Sequence, residues 1–187
     1  MIVVKVGGSL FDSPALGPAL RAYLESLAPA EVLLIPGGGP VADAVRALDR
    51  THGLGEEAAH WLALRALGVT KTLLERLAVG AVLTSPSRGE VKTKALRVFD
   101  CFTFACEDES LPGSLPHTWS VTTDSIAARV AFVHRAERLV LLKSVDIPPG
   151  MPWEEAATNG WVDAHFPQIA ATLTCPVEVV NFRLRLT

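Results

Sequence analysis

The sequence predicts an α/β protein, a mainly parallel sheet covered by helices on both faces. Two observations carry this. Met1-Ile2-Val3-Val4, Val32-Leu33-Leu34-Ile35 and Leu139-Val140-Leu141-Leu142 are short, continuously apolar runs, the pattern of strands buried on both sides. Between them apolar residues recur at helical spacing, so strand and helix alternate along the chain. The 187 residues suffice for one domain with a substantial core, and a hydrophobic content of 49% excludes a disordered chain.

Each element has its own justification. After the first strand, Ser13-Pro14 reads as an N-cap and first helical position, followed by Leu16, Leu20, Tyr23, Leu24 and Leu27 at helical spacing. The second strand is ended by Pro36-Gly37-Gly38-Gly39. Pro40 opens a helix with Val41, Val45 and Leu48 on one face, broken by Gly53-Leu54-Gly55. An alanine-rich helix is expected over 56–67 and another over 70–77. Short strands are expected near 81–83 and 96–99, with a turn at 85–90. Leu111-Pro112-Gly113 marks a loop. Thr122 or Thr123 caps a helix carrying Ile126, Val130 and Val133. The third clear strand, 139–142, is followed by a proline-rich loop at 147–152, a helix near 163–173 and a last strand at 177–180.

Composition excludes several classes of function. A net charge of −3 and no basic run argue against nucleic acid as a partner. No apolar run approaches the about 20 residues that span a bilayer. Lys5 interrupts the N-terminal apolar stretch, so no signal peptide is expected. Cys101, Cys106 and Cys175 form no CxxC pair and read as small buried hydrophobes in a reducing cytoplasm rather than as zinc ligands.

In sheets of this kind ligands sit beyond the carboxyl ends of the strands. That rule selects four loops: Lys5–Ser9, Pro36–Gly39, His117–Asp124 and Lys143–Asp146. A lysine at a strand end beside a glycine loop suits a polyphosphate, since the lysine supplies charge and the loop supplies shape. A snorkelling lysine is the plainer alternative for Lys5. Asp124 reads equally as a helix-start acid or as a group that orients lysines or carries Mg²⁺. Lys143, the last lysine in the chain, is a solvated edge lysine or the second cation on a transferred phosphoryl group. Gly37–Ala42 formally fits a dinucleotide fingerprint with Glu57 as the ribose acid, but Glu57 falls in a helical stretch. No Walker A loop is present. His60 reads as a core histidine or a ligand, and His117-Thr118-Trp119 lies just before Thr122–Ser125.

VVKVGGSL at 3–10, IPGGGPVAD at 35–43, TTDSIAARVA at 122–131 and LVLLKSVD at 139–146, in this order, resemble the amino acid kinase superfamily. The resemblance implies a three-layer αβα sandwich (the carbamate kinase-like fold) in a single domain over 1–187, and a dimer or higher homo-oligomer. It implies that Lys5 and Lys143 stabilise the transferred phosphoryl group and that Asp124 holds them in place. Gly7, Gly8, Ser9, Gly37, Gly38, Gly39, Ser144 and Asp146 form the expected phosphate and nucleotide side. His60, His117, Arg46 and Thr123 are the acceptor candidates. ATP and Mg²⁺ are the implied cofactors, with a small phosphate or amine as acceptor. VADAVRALD at 41–49, AAHWLAL at 58–64, HTWSVTTDS at 117–125, HFPQ at 165–168 and VVNFR at 179–183 are most similar to the small kinases of methanofuran biosynthesis, which implies an aminomethylfuran methyl phosphate acceptor. The family's TDVDG loop is replaced by Lys143-Ser144-Val145-Asp146-Ile147, so the nucleotide half, about 135–187, reads as reduced. A non-catalytic binder of a nucleotide or oxyanion and a nicotinamide-dependent enzyme stand as alternatives.

Overall fold

The computed structural model describes residues 1–80 and 96–186. The strand expected near 81–83 and the turn at 85–90 lie outside the described residues. Five strands, β1 (Ile2–Val6), β2 (Val32–Pro36), β3 (Leu96–Val98), β4 (Arg138–Lys143) and β5 (Val177–Asn181), form one sheet in the order β3-β2-β1-β4-β5. Every pairing is parallel. The chain builds outward from β1 through β2 to β3, then returns to place β4 on the other side of β1. The switch in direction therefore falls between β1 and β4, where open α/β sheets leave a crevice.

The helices are α1 (Leu16–Ser26), α2 (Gly39–His52), α3 (Glu56–Leu77), α4 (Cys101–Asp108), α5 (Thr123–Val133), α6 (Trp153–Thr158) and α7 (Phe166–Ala170). Strand alternation divides the core. Ile2, Val4, Val6, Leu34, Val140 and Leu142 pack against Leu16, Leu20 and Leu24 of α1 and against Phe182. Val3, Leu33, Ile35, Leu139 and Leu141 face Leu64 and Leu67 of α3, Ile126 and Val130 of α5, and Phe166 of α7. Burying each such side chain contributes about 1.5–3 kcal/mol. The same alternation puts Lys5 on the α5 face, two residues beyond Val3, and Lys143 there too, two beyond Leu141.

Several boundaries differ from the sequence reading. α1 starts at Leu16 and not at Pro14, because Gly8–Asp12 forms a 3₁₀ turn and Ser13 Oγ accepts from Ala15 N at 3.3 Å. The two helices expected over 56–77 are one. Gly68 sits inside it with open space beside its Cα, and its cost of about 1 kcal/mol does not outweigh the packed turns on either side. Leu48 is 47% exposed, so the core face of α2 is narrower than its periodicity suggested. Of the three cysteines expected to be buried, Cys101 is, Cys175 is half-buried and Cys106 is exposed. α4 and α6 were not anticipated; α4 is announced by Asp100, whose carboxylate accepts from Thr103 N. The helix expected near 163–173 shrinks to Phe166–Ala170, with Asp163 outside it, where its Oδ1 accepts from His165 N and Phe166 N at the helix start.

A buried ion pair ties α5 to the end of α4. Arg129 donates Nε to Asp108 Oδ2 at 2.9 Å and Nη2 to Oδ1 at 2.8 Å, with Nη2 also reaching the Pro112 carbonyl at 3.0 Å. Removing one partner of such a pair strands the other charge. We expect Asp108→Ala to lower the unfolding free energy by about 3–5 kcal/mol in urea titrations followed by circular dichroism. A loss below about 1 kcal/mol would show the pair to be dispensable.

Candidate active site

Lys5 lies near the carboxyl end of β1 opposite Leu141, and Lys143 ends β4 two residues farther on the same face, so parallel pairing sets the two lysines diagonally at one sheet edge. Gly7 N donates to the Leu142 carbonyl at 2.8 Å, which fixes the level of the two strand ends. Above them α5 begins. Thr122 caps it, and Asp124 falls in its first turn, where a carboxylate is favoured by the helix dipole. Asp124 Oδ2 accepts from Lys143 Nζ at 2.6 Å, and Oδ1 faces Lys5 Nζ at 2.8 Å as an ion pair outside hydrogen-bond angles. All three groups are buried, at 5% exposure for Lys5, 4% for Asp124 and 8% for Lys143.

Burial alone would raise the Asp124 pKa, but the two lysines beside it overcome that and hold it at about 2. Lys143 is pushed down to about 8, first by burial and then by repulsion from Lys5, with Asp124 working against both. One carboxylate thus serves two ammonium groups. The three side chains form a preorganised cationic site at the sheet's switch point, the arrangement that stabilises charge on a transferring phosphoryl group.

The glycine loops approach each other. A Cβ on Gly8 would overlap the Gly39 backbone, and one on Gly37 would overlap the Val6 carbonyl oxygen and Gly8 N. Gly39 also takes a positive φ of 53°. The glycines therefore have a packing reason, since the two loops meet backbone to backbone beside Lys5. A pocket of about 180 Å³ opens beside Lys5, bounded by Gly8, Gly38 and Gly39 at one end and by Arg46, His60, Leu64, Leu67, Trp119, Thr123 and Ile126 farther in. Its charged lining is cationic, and its body is apolar.

Of the residues singled out from the sequence, Lys5, Asp124 and Lys143 meet directly, and Gly8, Gly38, Gly39, Arg46, His60 and Thr123 share the pocket with Lys5. His117 stands one layer back. It stacks on His60 with centroids 5.2 Å apart and lines a smaller neighbouring cleft. Burial lowers the His60 pKa below the ordinary imidazole value, His117 adds to this, and a hydrogen bond to the Thr118 backbone opposes it. His60 is therefore neutral at pH 7. On the other side of the bridge, Ser9 Oγ and Ser144 Oγ lie 2.9 Å apart, and Asp146 Oδ2 accepts from Asn181 Nδ2 at 2.9 Å. Glu57 lies in the first turn of α3, away from any strand end, which removes the ribose acid of the dinucleotide alternative.

Sequence reasoning gave no role to Asp49, Trp119, Asp163, Asn181 or Arg183, although all but Asp163 fall in the segments 41–49, 117–125 and 179–183 singled out for resemblance. Trp119 Nε1 donates to Asp49 Oδ2 at 2.8 Å, and the Arg46 guanidinium lies 4.9 Å from the Trp119 ring centre, so this loop is latched onto α2 as a pocket wall. Arg183 donates to Asp12 Oδ1 and to the Ser9 carbonyl, each at 2.6 Å. None of these has a local sequence signature; each depends on a partner far along the chain.

No family model matches the chain. It is 22% identical over 147 residues to the [5-(aminomethyl)furan-3-yl]methyl phosphate kinase of Methanocaldococcus jannaschii, covering 78% of this chain and 67% of that protein. Among solved structures it resembles uridylate kinase from Archaeoglobus fulgidus, with a TM-score of 0.62 and 18% identity over 96% of this chain and 89% of that one. It also resembles UMP kinase from Ureaplasma parvum, with a TM-score of 0.61, 15% identity and coverage of 96% and 88%. Isopentenyl phosphate kinase from T. acidophilum aligns with a TM-score of 0.53 and 14% identity over 99% and 92%.

The bridge makes acid stability predictable. Folding lowers the Asp124 pKa from 3.8 to about 2, so its contribution is present above about pH 4 and is lost as pH falls through about 2. Lys143 acts in the same direction at higher pH: its folded pKa is also depressed, so stability rises from about pH 8 upward, where the unfolded chain binds the extra proton, and the difference is that its burial is a cost relieved on deprotonation. Thermal unfolding midpoints measured against pH should fall between pH 4 and 2, and Asp124→Asn should start lower and flatten that limb. An unchanged acid limb in the variant would remove Asp124 as its source.

Proposed function

We propose that this chain, which has the amino acid kinase fold, is an ATP-dependent kinase that phosphorylates a small phosphate monoester. The observation that carries this reading is the Lys5–Asp124–Lys143 bridge at the switch point, with an anion-seeking pocket opening from Lys5. The phosphate of the acceptor sits among Lys5, Arg46 and His60, and its body lies against Leu64, Leu67, Ile126 and Trp119. The acceptor we infer is an aminomethylfuran methyl phosphate, converted to its diphosphate in the making of a methanofuran-type cofactor. The similarity to the archaeal kinase supports this, and so does a pocket only slightly larger than the about 150 Å³ that holds a benzene ring.

Little covalent work falls to the protein. An acceptor phosphate oxygen is ionised at neutral pH, so no strong general base is needed. It forms the new bond to the γ-phosphorus as the bond to the ADP oxygen breaks, and ADP leaves with that electron pair. Lys5 and Lys143 hold the charge on the phosphoryl oxygens, and Asp124 keeps their ammonium groups apart and aimed. Gly7, Gly8, Gly37, Gly38 and Gly39 let phosphate come close to the backbone. Ser9, Ser144 and Asp146 face the nucleotide side. Both Asp124 oxygens are taken up by lysines, and the described residues contain no cluster of three or more His, Cys, Asp or Glu able to hold a metal. Mg²⁺ would therefore arrive on the nucleotide phosphates, and no step is assigned to it.

A second reading, a binder that does not transfer phosphate, is favoured by the exposure of Val145 and Asp146 and by the tie of Asp146 to Asn181. ADP release from MgATP with candidate acceptors, beside calorimetric titration of MgATP, separates the two. Lys5→Ala should lower kcat by about 10²–10³-fold with circular dichroism unchanged. Retained turnover would sink the assignment. Arg46→Ala should raise the acceptor KM by about tenfold and leave the KM for ATP alone. In the wild type, kcat should fall as pH rises through about 8, where Lys143 loses its proton. A rate that holds level past that point would show that Lys143 does not need its charge.

A further inference from the structure

A second carboxylate stands behind the bridge. Asp163 lies between α6 and α7, is 9% exposed, and takes six hydrogen bonds. Its Oδ2 accepts from Thr122 N at 2.9 Å, Thr122 Oγ1 at 2.8 Å and Ser125 N at 3.0 Å. Its Oδ1 accepts from Ser125 Oγ at 2.5 Å, His165 N at 3.2 Å and Phe166 N at 2.9 Å. Among the described residues no cation forms an ion pair with it.

All six partners donate, so the site is complementary to an ionised carboxylate. An amide there would turn its own N–H groups against three of them. Four of the six donors belong to Thr122 and Ser125, which flank Asp124 in the first turn of α5. Holding those two residues holds the Asp124 backbone between them. Charge points the same way. The bridge sets two buried ammonium groups against one carboxylate, and Asp163 supplies the second negative charge. Three charged groups act on Lys143: Lys5 from β1, Asp124 from α5 and Asp163 from the segment before α7, the last favouring the protonated ammonium.

We propose that Asp163 is a positioning residue for phosphoryl transfer, clamping the α5 turn so that Asp124 aligns Lys5 and Lys143 while its charge balances theirs. This rests on the kinase reading of the same site. It is tested with the full chain carrying Asp163→Asn or Asp163→Glu, labelled with ¹³C and ¹⁵N in its lysines. The chain has only five lysines, so Lys143 can be assigned by substitution and followed by NMR through the alkaline range. In Asp163→Asn the Lys143 titration should move about one pH unit lower. At neutral pH, kcat should fall about a hundredfold with the acceptor KM within about threefold of wild type. Asp163→Glu, which restores the charge, should bring the titration back toward wild type.

An unshifted Lys143 titration in a folded Asp163→Asn protein would overturn the proposal, as would a Glu variant displaced as far as the Asn variant. Should Asp163→Asn not fold, Ser125→Ala removes the 2.5 Å donor from the same carboxylate. It must then lower kcat severalfold at constant KM, and an unchanged kcat overturns the proposal. If the wild type transfers no phosphate to any acceptor, the kinase reading fails, and the Lys143 titration still decides whether Asp163 sets the state of that lysine.

Discussion

One carboxylate between two ammonium groups organises this protein. Two buried lysines a few ångströms apart repel each other, and each has left water to be there. Without Asp124 the carboxyl ends of β1 and β4 would carry two like charges against an apolar face. With it they form a compact cationic edge, held at the turn of a helix whose own dipole favours the acid. The bridge joins the β1–β4 register, the first turn of the buried helix α5 and the pocket that opens beside Lys5 at one point.

The two sides of the bridge are built differently. The pocket side is walled by α2, α3 and the loop carrying Trp119, with His60 in its lining and His117 stacked against His60. The opposite side is assembled from short polar contacts, Ser9 with Ser144 and Asp146 with Asn181, on exposed chain. One side therefore offers an apolar concavity with a cationic rim, and the other a shallow polar surface.

Much of this was legible in the sequence, for physical reasons that differ by residue. The strands at Ile2–Val6, Val32–Pro36 and Arg138–Lys143 announce themselves because both faces are buried and the pattern needs no partner to be read. Lys5, Asp124 and Lys143 could be found because the sheet places strand ends at one edge, so position along a strand already implies position in space. The unity of α3 was not readable, since Gly68 looks locally like a break and only packing shows that it is not. Asp163 was hidden for the opposite reason. A lone aspartate before Phe166-Pro167 looks like an ordinary helix start, and its six donors come together only in three dimensions.

The position of β1 also bears on how the chain is made. In chain order β1 precedes the other described strands, yet it is the middle strand of their sheet, and its second neighbour, β4, is made only after β2 and β3. Until residue 138 emerges, one edge of β1 presents a row of unpaired backbone groups beside an apolar face, the feature by which nascent chains stick to one another. The bridge is equally late, because Lys5 has no Lys143 to share Asp124 with before that point. The same topology that creates the cationic edge thus delays it until β4 has been made, and a chain broken off before then carries a sticky strand and an incomplete bridge.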